Sequence, residues 1–184
     1  MLGAEINGEI KDFYFNPADE SKIYPIFLGN EKSLTLIRHS TAHILAQAVQ
    51  SIYPDTKVTI GPVIEDGFYY DFYTDRNFTE DDLKLFENKM HEILEKNVSF
   101  EKEVIKKEKA LEIFSNMGET FKKEIINDLD ESQEISLYKQ GDWFDLCRGP
   151  HLPNSTFIKS FKLLSVAGSY WRGDETRESL QRIY

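Results

Sequence analysis

Cysteine is nearly absent, with one residue, Cys147, in 184. An internal disulfide is therefore impossible, and Cys147 is a free core thiol, a reactive thiol or a ligand. Histidine is scarce too, with four in the chain. No stretch approaches the run of about 20 apolar residues that crosses a bilayer. The N-terminus, with Glu5, Glu9, Lys11 and Asp12, lacks the charged-then-apolar order of a signal peptide. These two absences point to a cytoplasmic chain with no membrane partner. Net positive charge is also missing. At −10 the chain is poorly suited to tight nucleic-acid binding by itself, because such binding draws most of its affinity from neutralising phosphates. Any RNA it meets must be held largely by something else. Lys102, Lys106, Lys107, Lys109, Lys122 and Lys123 form a local basic stretch, but Glu101, Glu103, Glu108 and Glu124 are interleaved, so it reads as a solvated helical face. Internal repeats and low-complexity segments are absent.

An apolar fraction of 40% with 13% aromatics suits one domain with a real core and room for a small appendage. Residues 1–32 read as that appendage, an N-terminal arm or the remnant of a small domain, with a strand-turn-strand around Asn7-Gly8. Residues 33–184 read as the main domain. A helix begins near Ser33 as N-cap and stops before Pro54. At about 100° per residue, Leu34, Ile37, Thr41, Leu45, Ala48, Val49 and Ile52 form its apolar stripe. Strands follow at Val58–Ile60, Val63–Ile64 and Phe68–Phe72, with Asp66-Gly67 as the hairpin signal. Thr79 caps a second helix running to about Asn97, with Leu83, Phe86, Met90, Ile93 and Leu94 on its apolar face. Val98–Ile105 reads as a strand, Lys106–Asn116 as a helix closed by Gly118, and Glu119–Leu129 as a further helix. Strand signals return at Ile135–Tyr138, Trp143–Leu146, Phe157–Val166 and Ser169–Trp171. Helix, strands, helices, strands without strand-helix alternation implies an α+β fold, a mainly antiparallel sheet packed with helices, the long HxxxH-bearing helix lining a cleft.

Three of the four histidines and the cysteine fall in two short segments, Arg38-His39-Ser40-Thr41-Ala42-His43 and Cys147-Arg148-Gly149-Pro150-His151. His39 and His43 stand one helical turn apart, roughly 5–6 Å between Cβ atoms, on a face turned away from the apolar stripe. A core role is not expected for them. Gly149 and Pro150 bend the second segment so that His151 can be aimed. Three imidazoles and a thiol can bind zinc tetrahedrally. Without metal, one imidazole can act as general base on water while another donates to substrate. A third chemistry is attack by Cys147 with a histidine as base. His91, between Met90 and Glu92 with no partner at ligand spacing, is assigned nothing.

These two segments, together with Gly61-Pro62-Val63-Ile64-Glu65-Asp66-Gly67-Phe68-Tyr69-Tyr70-Asp71, Asp145-Leu146 and Ala167-Gly168-Ser169-Tyr170-Trp171-Arg172-Gly173-Asp174 with Leu180-Gln181-Arg182-Ile183-Tyr184, resemble the editing domain of bacterial-type threonyl-tRNA synthetase. The likeness covers about residues 33–184. It implies hydrolysis of the ester in seryl-tRNA(Thr), since serine and threonine differ by one methyl, worth about 1–3 kcal/mol in a pocket. By the same resemblance His39, His43, Cys147 and His151 line the pocket for the aminoacylated 3′-terminal adenosine. Lys122 would bind or polarise the substrate, Asp145 would hold the seryl amine or hydroxyl, and Tyr70 would contact the adenosine. The catalytic set is then His39, His43, His151 and Lys122, and the substrate-binding set Cys147, Asp145 and Tyr70. No cofactor and no obligatory metal are expected, although the alanyl branch of the superfamily uses the same four-residue set for zinc. The partners implied are the serine-bearing 3′ end of tRNA(Thr) and the rest of the synthetase. Residues 1–10 resemble the end of that enzyme's ubiquitin-like N-terminal domain, and the chain stops at Tyr184 before any class II aminoacylation core, as expected of a fragment of a longer protein. Two alternatives stand beside this reading: a zinc-dependent trans-editing deacylase of the alanyl-tRNA type, and a non-catalytic tRNA-binding module.

Overall fold

A computed structural model describes residues 1–184. The first element is a small three-stranded sheet, β1 (Gly3–Ile6), β2 (Glu9–Lys11) and β3 (Ile23–Ile26), in the order β2-β1-β3. Asn7 and Gly8 both have positive φ in the turn joining β1 to β2, as that dipeptide demands. The third strand carries no turn signal and was not evident from sequence. This arm packs into the main core through Leu2 and Ile26, which join the same cluster as Leu36.

Helix α1 (Ser33–Ile52) follows. Ser33 is its first helical residue and not its cap: the Ser33 hydroxyl donates to Asn30 O, and Asn30 Oδ1 accepts from Lys32 N–H at 2.9 Å. The apolar stripe also differs from expectation. Leu34 is exposed and Leu36 is buried, and from Ser40 to Ala46 every side chain is buried. The reason is that α1 is covered on two sides, by helix α2 (Glu80–Glu95) on one and on the other by the strand and loop that carry Trp143 and His151. A helix wrapped in this way has no solvated face to alternate with. Thr79 and Asp82 form a reciprocal capping box at the start of α2, whose Leu83, Phe86, Met90 and Ile93 are buried.

Between these helices lie β4 (Lys57–Val58), β5 (Val63–Ile64), β6 (Gly67–Phe68) and β7 (Tyr70–Tyr73). The β5–β6 hairpin turns on Glu65-Asp66, with Ile64 opposite Gly67, so the turn falls one residue before the Asp66-Gly67 pair. After α2 come β8 (Phe100–Ile105), α3 (Lys107–Asn116), α4 (Thr120–Asp128), β9 (Ile135–Gln140) and β10 (Trp143–Leu146). Strands β10-β9-β8 form an antiparallel sheet whose two faces serve different purposes. Ile135, Leu137, Phe144 and Leu146 pack with Ala110, Phe114 and Ile126 of α3 and α4. Alternate residues Ser136, Tyr138, Gln140, Trp143 and Asp145 turn toward α1 and its neighbours.

The segment 157–166 was expected to be a strand. It is instead a 3-10 turn at Ser155–Phe157 followed by irregular chain, with Ile158 and Leu163 anchored in the core. The last strands are β11 (Val166–Tyr170) and β12 (Ser179–Ile183), in a sheet of order β11-β12-β7-β4. All strand pairs are antiparallel and helices cover them, an α+β architecture. No helix is long and apolar enough to cross a membrane.

Candidate functional site

Helix α1 and the loop leaving β10 meet at the histidines. His39 and His43 project from the same side of α1, ring centroids 5.3 Å apart. The loop brings Cys147 and His151 against them, so that one ligand atom from each of the four residues lies within 4.8 Å of the others. Gly149 makes the loop possible. Its φ is +78°, and a Cβ there would lie 2.3 Å from Tyr138 Oη, so only glycine fits. His151 is packed tightly: Phe100 stacks at 5.3 Å, Tyr138 lies at 4.5 Å, and the His39 and His43 rings are at 4.1 and 4.2 Å. The expectation that His39 and His43 stay out of the core fails for His43, which is 3% exposed; His151 is buried as well, at 1%. His39 keeps part of its surface open.

Hydrogen bonding assigns the tautomers. A carbonyl only accepts, so the 3.0 Å bond between His39 Nδ1 and Pro150 O puts the proton on Nδ1 and leaves Nε2 basic. That Nε2 is 3.3 Å from Cys147 Sγ, and His151 Nε2 is 3.3 Å from the same sulfur. One S–H serves one imidazole lone pair. Full pairing therefore requires His151 to carry its proton on Nε2, donating to sulfur, while Nδ1 accepts from the Ser40 hydroxyl at 3.1 Å. Ser40 Oγ in turn accepts from Leu152 N–H at 2.9 Å. The result is a directed line from Ser40 through His151 and Cys147 to His39 and the Pro150 carbonyl. His43 stands outside it: its buried Nδ1 has no partner, and its ring meets Trp143 edge-on at 5.7 Å.

Burial holds His151 well below the usual imidazole range, helped by the neighbouring His39 and His43. Burial also lowers His39, against the opposing pull of the Pro150 carbonyl and of Asp145 and Asp12. Both rings are thus neutral at pH 7, the state able to accept a proton.

Beside the histidines lies a buried ion pair, Lys122 with Asp145; the charge pattern read Lys122 as part of a solvated face, whereas the resemblance set both residues at the pocket. Lys122 Nζ is 2.7 Å from Asp145 Oδ1 and 2.8 Å from Oδ2, with the two side chains 3% and 2% exposed. The other lysines of that stretch reach surface carboxylates, Lys102 from strand β8 and Lys107 and Lys109 from α3, pairing with Glu134, Glu131 and Glu112. Tyr70 Oη donates to Asp145 Oδ2 at 2.6 Å, and Leu146 N–H donates to Asp145 Oδ1 at 2.7 Å. Tyr70 is enclosed, its ring so close under Gly61 that a Cβ there would lie 2.2 Å away. Burial, then the Asp145 carboxylate, push its hydroxyl well above the ordinary phenol range. Asp145 and Tyr70 thus spend their polar atoms on Lys122 and on each other. A second buried carboxyl, Glu119, is raised by burial; it accepts from Gln50 at 2.7 Å, and Gln50 accepts from Trp143 Nε1–H at 2.8 Å.

A cavity of about 210 Å³ opens on this region, lined by Thr59, Ile60, Lys122, Ser136, Cys147 and Arg148 among others. Cys147 joins it to the histidine cluster and Lys122 to the ion pair. The four-residue cluster also fits zinc by donor type and spacing, with Nδ1 of His39 and His151 already held by Pro150 and Ser40 so that both Nε2 atoms face the centre. Bound to all four, such an ion would have no tetrahedral position left for water; bound to three, it would activate one.

Sequence reasoning missed Ser40, Tyr138 and Asp12. Ser40 stood inside the quoted motif, adjacent to His39, and its place one turn behind the histidine face was the available signal. Tyr138 and Asp12 carried none: Tyr138 reads as an ordinary strand aromatic, and Asp12 lies 139 residues from His151.

Residues 135–184 match the family described as the threonyl and alanyl tRNA synthetase second additional domain. Over the full chain, the protein is 49% identical to a "Threonine--tRNA ligase" of Legionella pneumophila (strain Corby) and to one of Ehrlichia canis (strain Jake), covering 29% of each. It is 50% identical to that of Nitrosococcus oceani, covering 28%. The chain thus spans under a third of the length of these relatives. The chain is thus similar along its length to a segment of threonine–tRNA ligases, and its C-terminal stretch matches the threonyl and alanyl tRNA synthetase second additional domain.

Proposed function

We propose that the chain is an aminoacyl-tRNA deacylase that removes serine from mischarged seryl-tRNA(Thr). The observation that supports this best is the convergence of two neutral, low-pKa imidazoles and a thiol beside a cavity that Lys122 also lines. Hydrolysis of an activated ester needs a positioned water, a group to take its proton and stabilisation of the developing oxyanion. His39 is the histidine with open surface, and once the Cys147 S–H turns away its Nε2 takes the proton from water as the water oxygen bonds to the ester carbon. The carbon–oxygen bond to the ribose then breaks, and the ribose oxygen leaves with a proton from the imidazolium or a second water. His43 and His151 shape the cluster, and Lys122, held by Asp145 and Tyr70, stabilises charge at the cavity wall. Selection of serine over threonine would rest on a pocket that fits serine and clashes with the one extra methyl. An acidic chain needs help to hold the RNA, and the rest of a threonyl-tRNA synthetase would supply it.

The donor set also supports a second reading, a zinc-dependent deacylase of the alanyl-tRNA type, in which the same four residues would hold the ion and the ion would supply the activated water. Removing His39 and Cys147 separately tests the water mechanism. His39→Ala should lower single-turnover deacylation by at least about 100-fold, the range of general-base catalysis. Cys147→Ala should stay within about tenfold of the parent. A folded Cys147→Ala protein with no activity would contradict the mechanism.

A further inference from the structure

Residues 1–32 reach the site through one side chain. Asp12 lies just past β2, and its Oδ1 accepts from Tyr14 N–H at 3.1 Å, which fixes the carboxylate in a local turn. Its Oδ2 accepts from Tyr138 Oη at 2.6 Å and from the backbone N–H of His151 at 3.1 Å. The same oxygen lies 3.0 Å from where a Cβ of Gly149 would be. The bond to His151 is the one hydrogen bond between residues 1–32 and the Cys147–His151 loop. Tyr14 adds a second anchor nearby: its hydroxyl donates to Phe100 O at 3.2 Å, on the residue whose ring stacks on His151.

We infer that Asp12 is a positioning residue of the deacylase site, acting through His151 and resting on the function proposed above. The ring of His151 is held by Ser40, Cys147 and its aromatic neighbours, but its main chain is held by Asp12. A main-chain shift there carries the imidazole with it, and that ring stacks on His39 at 4.1 Å, so it displaces His39 as well. Displacements near 1 Å in such arrangements cost about 100-fold in rate. Removing the carboxylate also leaves Tyr138 Oη and His151 N–H without partners in a part-buried setting, so the loop must move to re-pair them. The arm is therefore a working part of the site, not an appendage laid on it.

The test uses the full chain with Asp12→Ala and Asp12→Asn, and Asp12→Ser, too short to reach His151, in place of the alanine variant should that not fold. Three quantities are read: the single-turnover rate constant on seryl-tRNA(Thr), the half-saturating concentration, and hydrogen exchange of the His151 amide. Asp12→Ala should speed His151 amide exchange at least about tenfold. Its rate constant should fall about 10- to 100-fold with half-saturation within about twofold. Asp12→Asn, which keeps an acceptor oxygen, should recover to within about fivefold of the parent. A freed His151 amide with an unchanged rate constant would overturn the inference, as would an unchanged amide in Asp12→Ala. If the parent chain hydrolyses nothing, the deacylase reading fails on its own, and the amide exchange still decides whether Asp12 positions His151.

Discussion

Replacing Asp145 by leucine should be among the most damaging single changes in this protein, and the reason lies in what it leaves behind. Lys122 Nζ has both Asp145 oxygens within 2.8 Å, and beyond them only Tyr70 Oη at 3.4 Å. With the carboxylate gone, an ammonium 3% exposed to solvent is uncompensated, a situation that costs about 3–5 kcal/mol. Lys122→Met is the milder half. The remaining carboxylate keeps two donors, Tyr70 Oη at 2.6 Å and Leu146 N–H at 2.7 Å, so the loss is about 1.5–3 kcal/mol, one charge-assisted bond. Changing both at once removes the charge problem and leaves chiefly an unpaired Tyr70 hydroxyl, about 1–3 kcal/mol. Equilibrium urea unfolding of the four proteins gives the coupling directly. The double variant should be at least about 1.5 kcal/mol more stable than the sum of the singles implies. In a chain of this size the Asp145→Leu loss corresponds to a fall in Tm of roughly 6–20 °C. Additivity within about 0.5 kcal/mol would refute the reasoning, because it would mean that the two groups do not depend on each other.

Two further predictions follow from the histidine cluster. The folded state pulls His151 below the usual value of about 6.5, so on acidification the unfolded chain binds the proton first. The stability this residue contributes is therefore complete above about pH 6.5 and is lost as pH falls below it, at up to about 1.4 kcal/mol per unit. His39 adds a smaller loss of the same sign, and Glu119, raised by burial, works the other way. Unfolding at pH 7.5, 6 and 5 for the parent and for His151→Phe checks this; an equal pH slope in both would count against it. Gly149→Ala should cost about 2 kcal/mol or more and reduce deacylation with it, since the new methyl meets Tyr138 Oη at a backbone angle alanine avoids. Normal thermal stability in that variant would mean that the loop is not built as described.

The parts of the fold that could be read from sequence were those with strong local grammar. Thr79 with Asp82 announced α2, Asn7-Gly8 announced the first hairpin, and Gly118 closed α3 with φ of +68°. The helix bearing the histidines was found, but its buried side was misjudged because α1 is covered on two sides and Leu36 has no periodic partner that would single it out. Phe157–Val166 has the composition of a strand, but only its end, from Leu164 to Val166, pairs with Tyr184 and Ile183, and the rest follows the core as irregular chain. The four cluster residues were legible because their types are rare and concentrated. Lys122 was chemically legible only by family likeness, since five other lysines surround it in sequence and just this one turns inward to Asp145. Asp12 was illegible in principle: its partners Tyr138 and His151 lie 126 and 139 residues away.

The most direct measurement is deacylation of seryl-tRNA(Thr), threonyl-tRNA(Thr) and alanyl-tRNA(Ala) by this chain, with and without a strong chelator, at protein concentrations high enough to offset weak RNA binding. Hydrolysis of the seryl ester should be at least about tenfold faster than that of the threonyl ester, one methyl's worth of discrimination, and unchanged by chelator. Hydrolysis confined to alanyl-tRNA and abolished by chelator would contradict it in favour of the zinc-dependent reading.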